Sequence, residues 1–186
     1  MSSKEKIHVG LLRGINVAGQ KKVPMAELRE LAASIGLRDV KTYIQSGNLV
    51  FRSALTEIKA SAALEKAISQ QFGFEVETVV CSGAKWLGYA EKSPFPEAED
   101  TRPKTLLLGV SKSGPSKDAV EAIMKYAVNE RAAVLGGALW IDFVDGSGRS
   151  KIRPAILQRV LGSSATTRNW RTVQKLAALV RELEVA

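Results

Sequence analysis

Residues 40–52 have the sequence VKTYIQSGNLVFR, in which two strand-like runs flank a short polar turn. Val40–Gln45 and Asn48–Arg52 contain β-branched and aromatic residues that favour strands, and Ser46-Gly47 between them is typical of a tight turn. An isolated hairpin is only marginally stable in water and needs further strands or helices against its apolar face. The flanking sequence must therefore supply the rest of a sheet.

Strands and helices are predicted on both sides of this hairpin. Before it, Ile7–Leu12 has the continuous apolar run of a buried strand, and Pro24–Ile35 repeats apolar residues at helical spacing. After it, a helix capped by Thr56 and ending near Phe72 precedes the alternating strand Phe74–Val80. The predicted order is β-α-β-β-α-β, which is the ferredoxin-like unit.

The same order of elements starts again after a linker. Ser82–Ala90 is predicted as a short helix, and Ser93–Arg102 as a Pro- and acid-containing linker. Thr105–Val110 then has a strand pattern, Ser116 can cap a helix, and Gly136-Gly137 marks a second hairpin. The repeated order indicates a second half of the same kind.

The end of the second half is predicted to differ from the first. We expect a helix to begin at Ser150, the final strand to be missing, and a helix from Asn169 to about Leu183 to close the chain. The sequence therefore predicts an α+β fold of two ferredoxin-like halves with antiparallel sheets, the second modified and followed by a C-terminal helix. We place the first half at residues 1–82, a short helix and linker at 83–103, and the second half at 104–186.

The composition excludes several classes of protein. The longest apolar runs are strand-sized, far below the roughly 20 residues that a membrane span requires, and no signal-peptide region follows Met1. A single cysteine, Cys81, cannot form an internal disulfide and fits a reducing compartment. One cysteine and one histidine, His8, cannot assemble a zinc site of the usual kind. We expect a cytoplasmic protein with no membrane partner, no metal and no cofactor.

The positive charge is concentrated near the C-terminus. The chain has 27 basic and 19 acidic residues, a formal net charge of +8, and no acidic residue lies between Asp145 and Glu182. The basic residues of that stretch are Arg149, Lys151, Arg153, Arg159, Arg168, Arg171, Lys175 and Arg181. This one-sided distribution indicates an anionic partner. The alternative is that these residues only cover solvated helix faces.

The loop between the first strand and the first helix is a candidate anion site. Free N–H groups and the positive end of the helix dipole attract anions at such a position. The side chains that could add to them are Arg13, Asn16, Lys21 and Lys22. A nucleoside-triphosphate loop is not predicted, because Gln20 separates Gly19 from Lys21 and no Ser or Thr follows to hold magnesium. The alternative is that the glycines only satisfy backbone geometry.

The hairpin turn contains a second polar group, formed by Gln45, Ser46 and Asn48. These side chains could contribute to an anion site, because Gln45 and Asn48 exceed what a turn needs. Ser, Gly and Asn are also ordinary turn residues, so the turn by itself explains part of the pattern.

A third group combines hydroxyl, amide and basic side chains at two predicted helix starts. Its members are Arg149, Ser150, Lys151, Thr167, Arg168, Asn169 and Arg171. Capping explains Ser150 and either Thr167 or Asn169. It does not explain the basic residues, because cations at a helix N-terminus oppose the dipole. This conflict predicts a bound anion, with Lys151 and Arg168 in one site.

Four phrases of the sequence resemble a known family. They are LLRGINV at 11–17, TYIQSGN at 42–48, RSK at 149–151 and TTRNWRTV at 166–173, and they are similar to the signature segments of the bacterial domain-of-unknown-function family numbered 1697. The resemblance implies two ferredoxin-like halves and a cytosolic bacterial origin. It carries over no catalytic residue.

Three functions follow as hypotheses. The first is binding of a phosphorylated or otherwise anionic, nucleotide-like small molecule in a basic cleft between the halves, where the three groups would converge. The second is sequence-independent binding of nucleic acid through the basic C-terminal face, without the usual aromatic platform. The third is a structural or protein-interaction module. No catalytic triad or paired-carboxylate motif is present, so an enzyme would act through positioning and charge.

Overall fold

The computed structural model describes residues 5–162 and 164–186. The chain divides into two compact units, one comprising the residues up to Leu87 with Leu176–Ala186 and the other comprising Gly88–Lys175. Each unit contains a four-stranded sheet. Within the described residues, no helix combines the length and apolar character needed to cross a membrane.

The first unit begins with the predicted β-α-β-β-α-β order. Its elements are β1 (Lys6–Leu12), α1 (Met25–Ser34), β2 (Arg38–Tyr43), β3 (Asn48–Ser53), α2 (Glu57–Phe72) and β4 (Thr78–Ser82). The strands lie in the order β2-β3-β1-β4, and every neighbouring pair is antiparallel. The predicted hairpin around Ser46-Gly47 is confirmed as the β2–β3 connection.

The second unit repeats this topology. The remaining elements are α3 (Gly83–Glu91), α4 (Pro96–Thr101), β5 (Leu106–Val110), α5 (Ala119–Met124), β6 (Arg131–Leu135), β7 (Ala138–Asp142), α6 (Pro154–Leu161), β8 (Thr166–Asn169) and α7 (Trp170–Glu184). The strand order β6-β7-β5-β8 is the counterpart of the first sheet, and all pairs are again antiparallel. The predicted α+β fold with two antiparallel sheets is confirmed.

In the first unit, two helices bury one face of the sheet. Leu28 of α1 and Leu64 of α2 are fully buried with Phe51 of β3 in one apolar cluster. Each such aliphatic side chain contributes roughly 1.5–3 kcal/mol by leaving water. The predicted cap of α2 is confirmed, because the Thr56 hydroxyl accepts a hydrogen bond from the Lys59 N–H.

The second unit forms its core in the same way. Ile123 of α5 and Leu161 of α6 are buried against Leu139 and Ile141 of β7. Alternation along β7 places Trp140 on the other face of the sheet. The predicted hairpin at Gly136-Gly137 is confirmed as the β6–β7 connection.

The prediction that the second half lacks its final strand was wrong. Thr166–Asn169 forms β8, which pairs with β5 from Leu107↔Asn169 to Val110↔Thr166. The strand is four residues long with the polar sequence TTRN, so no apolar alternation marks it. Hydrogen bonding to the apolar strand β5 makes this segment a strand, although its own sequence has no strand pattern.

The prediction that a helix begins at Ser150 was also wrong, because α6 begins at Pro154. Proline suits the first helical position, where its fixed φ is favourable and its missing N–H is not needed. Ser150 is instead buried four residues earlier, directly after the turn at residues 147–149. Its hydroxyl accepts a hydrogen bond of 3.0 Å from the Ile152 N–H.

Two further boundaries differ from the predictions. The predicted linker contains the short helix α4, whose first residue is again a proline, Pro96. The strand expected from Phe74 begins only at Thr78, whose N–H donates a hydrogen bond of 2.7 Å to Glu65 Oε1 on α2. Phe74 packs against the core without joining the ladder.

A buried carboxylate joins the chain around α4 to the second sheet. Asp142 is fully buried, and its Oδ2 lies 2.7 Å from Arg102 Nη2 and 2.6 Å from Arg131 Nη2. Burial opposes ionisation, but the hydrogen bonds from both guanidinium groups outweigh it and lower the pKa of Asp142. Arg131 also contacts Glu97 of α4 and covers the ring of Phe95 at 4.6 Å. The sequence did not indicate this network.

Candidate functional site

The first two candidate groups meet in the first unit. The side-chain amide of Asn16 donates hydrogen bonds to the Gln45 carbonyl at 2.8 Å and to the Val23 carbonyl at 3.0 Å. Its Oδ1 accepts a hydrogen bond of 2.9 Å from the Val23 N–H. The Leu12 N–H donates to the Gly47 carbonyl at 2.8 Å. Asn16 therefore uses its amide to join the two loops.

Gly47 is required by this close approach. Its φ is +76°, and a Cβ at this position would lie 2.7 Å from both Ile15 Cδ1 and Leu12 Cβ. Such distances are below any normal contact, so only glycine fits without displacing the first loop. The two loops form one packed structure.

The polar residues of the hairpin turn also serve its geometry. Asn48 is fully buried, and its Nδ2 donates to the Tyr43 carbonyl at 2.9 Å and to Ser46 Oγ at 3.0 Å. Gln45 is exposed and contributes its carbonyl to the bond from Asn16. Turn formation thus accounts for Ser46 and Asn48.

The cations of the first loop lie beside acidic residues. Arg13 Nη1 is 2.9 Å from Glu77 Oε2, and Lys21 Nζ donates to the Glu75 carbonyl at 2.6 Å. Arg13, Lys21, Glu75 and Glu77 line a shallow cavity of about 390 Å³. Two acidic groups balance the two basic groups, so the cavity has little net attraction for an anion. Lys22 is exposed to solvent.

The same two loops hold most of the backbone strain. Among the described residues, five non-glycine residues have positive φ, and four of them are Asn16, Ala18, Lys21 and Ile44. A β-branched residue such as Ile44 at φ +50° is unusual and costs of the order of 1–3 kcal/mol. Ile44 is also half-exposed. Sequence reasoning missed it, although an apolar residue inside a polar turn was a visible signal.

In the second unit, exposed and buried side chains alternate in the turn-containing segment before α6. Arg149, Lys151 and Arg153 are exposed, whereas Ser150 and Ile152 between them are buried. Ile152 belongs to the apolar core. We call the three exposed cations the basic strip. Sequence reasoning missed Arg153 as a member, because it placed these residues in a helix.

The buried carboxyl of Glu130 holds Ser150, which lies between two residues of the basic strip. Glu130 is 7% exposed, and a hydrogen bond from the Ser150 hydroxyl is the main cause that lowers the pKa of its carboxyl. Glu130 Oε2 also accepts a hydrogen bond of 2.7 Å from the Val128 N–H. The inward side chains therefore fix the segment, while its outward side chains are all basic.

The basic strip ends at the N-terminus of α6. Arg153 is the N-cap residue and makes no side-chain capping bond, and the first turn contains no acidic residue. The positive end of the helix dipole thus adds to the potential of the three cations. The predicted conflict between cations and a helix start is present here, at Pro154 and not at Ser150.

Arg168 lies in a different environment from Lys151. It is 9% exposed in strand β8, where Nη1 donates to Thr166 Oγ1 at 2.7 Å and to the Thr167 carbonyl at 2.8 Å. Burial lowers its pKa to about 10, so it remains protonated at neutral pH. Asn169 caps α7 by accepting a hydrogen bond of 3.0 Å from the Thr172 N–H, as one of the two predicted caps. Arg168 thus lies next to the cap of α7, near a helix start as expected, although it belongs to strand β8.

Arg171 lies in the first turn of α7 and lines a cavity of about 440 Å³. The charged residues around this cavity are Arg102, Lys104, Asp145 and Arg171. Gly146 also lines it, and the Gly146 carbonyl accepts a hydrogen bond of 3.4 Å from the Arg149 N–H. We call it the Arg171 cavity; the chain leads directly from it to the basic strip.

The single histidine and the single cysteine, whose side chains could serve acid–base or nucleophilic chemistry, are both buried. His8 is 2% exposed in β1 and stacks on Phe51 with ring centroids 5.6 Å apart. Burial raises the pKa of the Cys81 thiol to about 11, so it remains protonated at neutral pH. Among the described residues, no group of three or more His, Cys, Asp or Glu side chains is placed to hold a metal ion.

Fold and site together define a two-unit α+β protein of ferredoxin-like topology with a basic surface on its second unit. The family model described as "Protein of unknown function (DUF1697)" matches residues 6–140, more than half of the chain, and the chain belongs to this family. This confirms the resemblance seen in the signature phrases.

A solved structure has the same fold over almost the whole chain. It is that of the conserved bacterial protein SP0830 from Streptococcus pneumoniae, which is 25% identical in sequence with a TM-score of 0.73. The alignment covers 96% of this chain and 99% of that one. No curated protein matches the chain.

Proposed function

We propose that this protein binds single-stranded nucleic acid, without sequence preference, through phosphate contacts at the basic strip. The observation that carries the proposal is the alternation at residues 149–153, which exposes three cations in a row and buries the residues between them. Solubility alone requires no such order.

The spacing of the basic strip suits a ligand with repeated negative charges. Only one residue separates neighbouring cations along the chain, and all three cations are exposed. Three long basic side chains at this spacing can reach successive phosphate groups of a flexible strand. The positive end of the α6 dipole, with no acidic residue in its first turn, adds to the attraction for the same ligand.

Electrostatics around the strip favour this role over the first-unit loops. Between Asp145 and Glu182 the sequence has no acidic residue, and Glu130 is buried beneath the strip with its carboxyl hydrogen-bonded. In the first unit, by contrast, Arg13 is paired with Glu77. Phosphate contacts position a strand but do not identify its bases, so binding is expected to ignore sequence.

The Arg171 cavity supports a second candidate function, the binding of a small phosphorylated molecule. Three basic residues and one acidic residue line it, and Thr101 and Thr105 add hydroxyl groups. The two candidates use different residues. They can therefore be separated by substitution.

The test is fluorescence anisotropy with a labelled single-stranded RNA over a range of salt concentrations. The variant Arg149→Gln/Lys151→Gln/Arg153→Gln removes the strip's three charges, and Lys59→Gln/Lys66→Gln/Lys125→Gln removes three exposed charges elsewhere. Each phosphate contact to a single strand contributes about 0.7 to the slope of log affinity against log salt. We expect the strip variant to reduce that slope by about 2, and the control variant to change it little.

Binding that is absent at low salt, or that both variants weaken equally, would contradict the nucleic-acid proposal. The cavity is tested separately by thermal unfolding with inorganic pyrophosphate at matched ionic strength. Stabilisation that Lys104→Gln/Arg171→Gln abolishes and the strip variant retains would favour the small-molecule function.

A further inference from the structure

Exposed apolar side chains are concentrated in one short part of the second unit. Among the described residues, nine large apolar side chains are exposed, and five of them lie in the twelve residues from Met124 to Leu135. They are Met124, Tyr126, Val128, Val134 and Leu135. The segment comprises the end of α5, a connecting loop and strand β6. We call these five residues the β6 edge patch.

Strand β6 is an outer strand of its sheet and has regular geometry. All five of its residues pair with β7 in unbroken register, from Arg131↔Asp142 to Leu135↔Ala138. It contains no proline and no residue with positive φ. A regular outer strand offers backbone N–H and C=O groups to a further strand.

The outer strand β2 of the first sheet shows the contrast. Its register shifts between Arg38 and Lys41, and Asp39 between them has φ +51°. Bulges and charged side chains protect sheet edges from unwanted pairing. β2 has this protection and β6 lacks it, although they occupy equivalent places in the two sheets.

The β6 edge carries almost no free charge. Its sequence is RAAVL, and its single charged residue, Arg131, is held by Asp142 and Glu97 within the chain. The whole chain has a formal net charge of +8, so two copies repel each other over most of their surfaces. The neutral β6 edge is a place where two copies can approach without that repulsion.

We infer that β6 pairs with β6 of a second copy of this chain, forming a symmetric dimer with one continuous eight-stranded sheet. Antiparallel pairing about a two-fold axis at Ala133 places Arg131 opposite Leu135 of the second copy, so like charges do not face each other. The same patch serves both copies, which closes the assembly at two. Val134 and Leu135 lie on the pairing strand itself.

The inference is tested on the full chain by light scattering after size-exclusion chromatography, over a range of protein concentrations. We expect twice the monomer mass for the parent protein at high concentration. Val134→Lys and, separately, Leu135→Lys should give the monomer mass, because a lysine on an outer strand opposes pairing. The matched control is Ile58→Lys on α2, another exposed apolar residue, which should leave the dimer intact.

Circular dichroism shows whether each variant is folded, and both edge positions are partly exposed already. A parent protein that is monomeric at every concentration would overturn the inference. So would a dimer that persists in both folded edge variants, or an assembly that grows beyond two copies.

Discussion

The side-chain amide of Asn16 lies 2.8 Å from the carbonyl of Gln45 and joins two loops that are 29 residues apart in the sequence. Both loops lie in the phrases by which the sequence resembles the family, and each was predicted as a separate polar site. Their contact shows that much of the polar character serves to hold one loop against the other. Ile44 and Lys22 remain exposed in these loops, and a role in folding does not explain them.

Replacing Gly47 by alanine should destabilise the first unit far more than replacing Gly19. Both glycines have φ near +76°, so each alanine meets a similar backbone cost of about 1–2 kcal/mol. At Gly19 nothing lies within 4 Å of the added Cβ, whereas at Gly47 two side-chain carbons lie 2.7 Å away. We expect a further loss of about 1–3 kcal/mol for Gly47→Ala, measured by urea unfolding. Equal losses in the two variants would show that the loops are not tightly packed.

Replacing Asp142 by asparagine should destabilise the second unit by about 3 kcal/mol. The change removes a buried carboxylate and leaves Arg102 and Arg131 without their shared partner. The guanidinium groups keep part of their hydration, so the loss falls at the lower end of the range for broken buried ion pairs. Asp100→Asn, on an exposed residue of α4, is the control and should change the unfolding free energy by less than about 0.5 kcal/mol. A loss for Asp142→Asn as small as that of the control would contradict the role given to this network.

Buried His8 should make the protein less stable in mild acid. Burial lowers the pKa of His8 below its usual 6.5, and nearby Ser53 and Glu57 only partly oppose this effect, while Lys6 adds to it. The unfolded chain therefore binds a proton more readily than the folded chain. Stability is full above pH 6.5 and declines as the pH falls from there towards the lower folded-state pKa, below which it levels off.

The comparison is urea unfolding at about pH 7.5 and about pH 5.5, above the range in which ordinary carboxyl groups titrate. The parent protein should lose stability between these two values, and His8→Leu should lose less. His8 stacks on Phe51 inside the core, so the variant is judged by its change with pH and not by its absolute stability. An identical decline in both proteins would mean that His8 does not cause the acid sensitivity.

Most of the fold could be predicted because its signals are local. The helix of α2 follows from apolar spacing and the Thr56 cap, and the hairpin at Gly136-Gly137 follows from two turn residues between strands. The element with weak local signals was missed: β8 has the sequence TTRN and becomes a strand only through its pairing with β5. The start of α6 was misplaced because a serine resembles a cap wherever it precedes apolar residues, whereas Pro154 marks the true first position.

The sequence could predict which types of residue the candidate site contains, but not how they are arranged. The sequence showed that positive charge is concentrated after Asp145, because charge is a property of composition and order along the chain. It did not show which cations meet solvent. Arg13 lies beside Glu77 and Arg168 is buried in a sheet, whereas Lys151 is exposed.

By itself, therefore, the sequence determined the order of helices and strands, the two-fold repetition of the unit and the net charge. Turn residues and hydrophobic periodicity involve residues only a few positions apart, so they can be recognised in the amino-acid sequence. Only the tertiary structure decided which polar groups are used internally and which are exposed. Burial, pairing and pKa depend on atoms brought close from distant parts of the chain. The Ser150 hydroxyl, for example, donates a hydrogen bond to the carboxyl of Glu130, whereas the neighbouring cations are exposed on the surface.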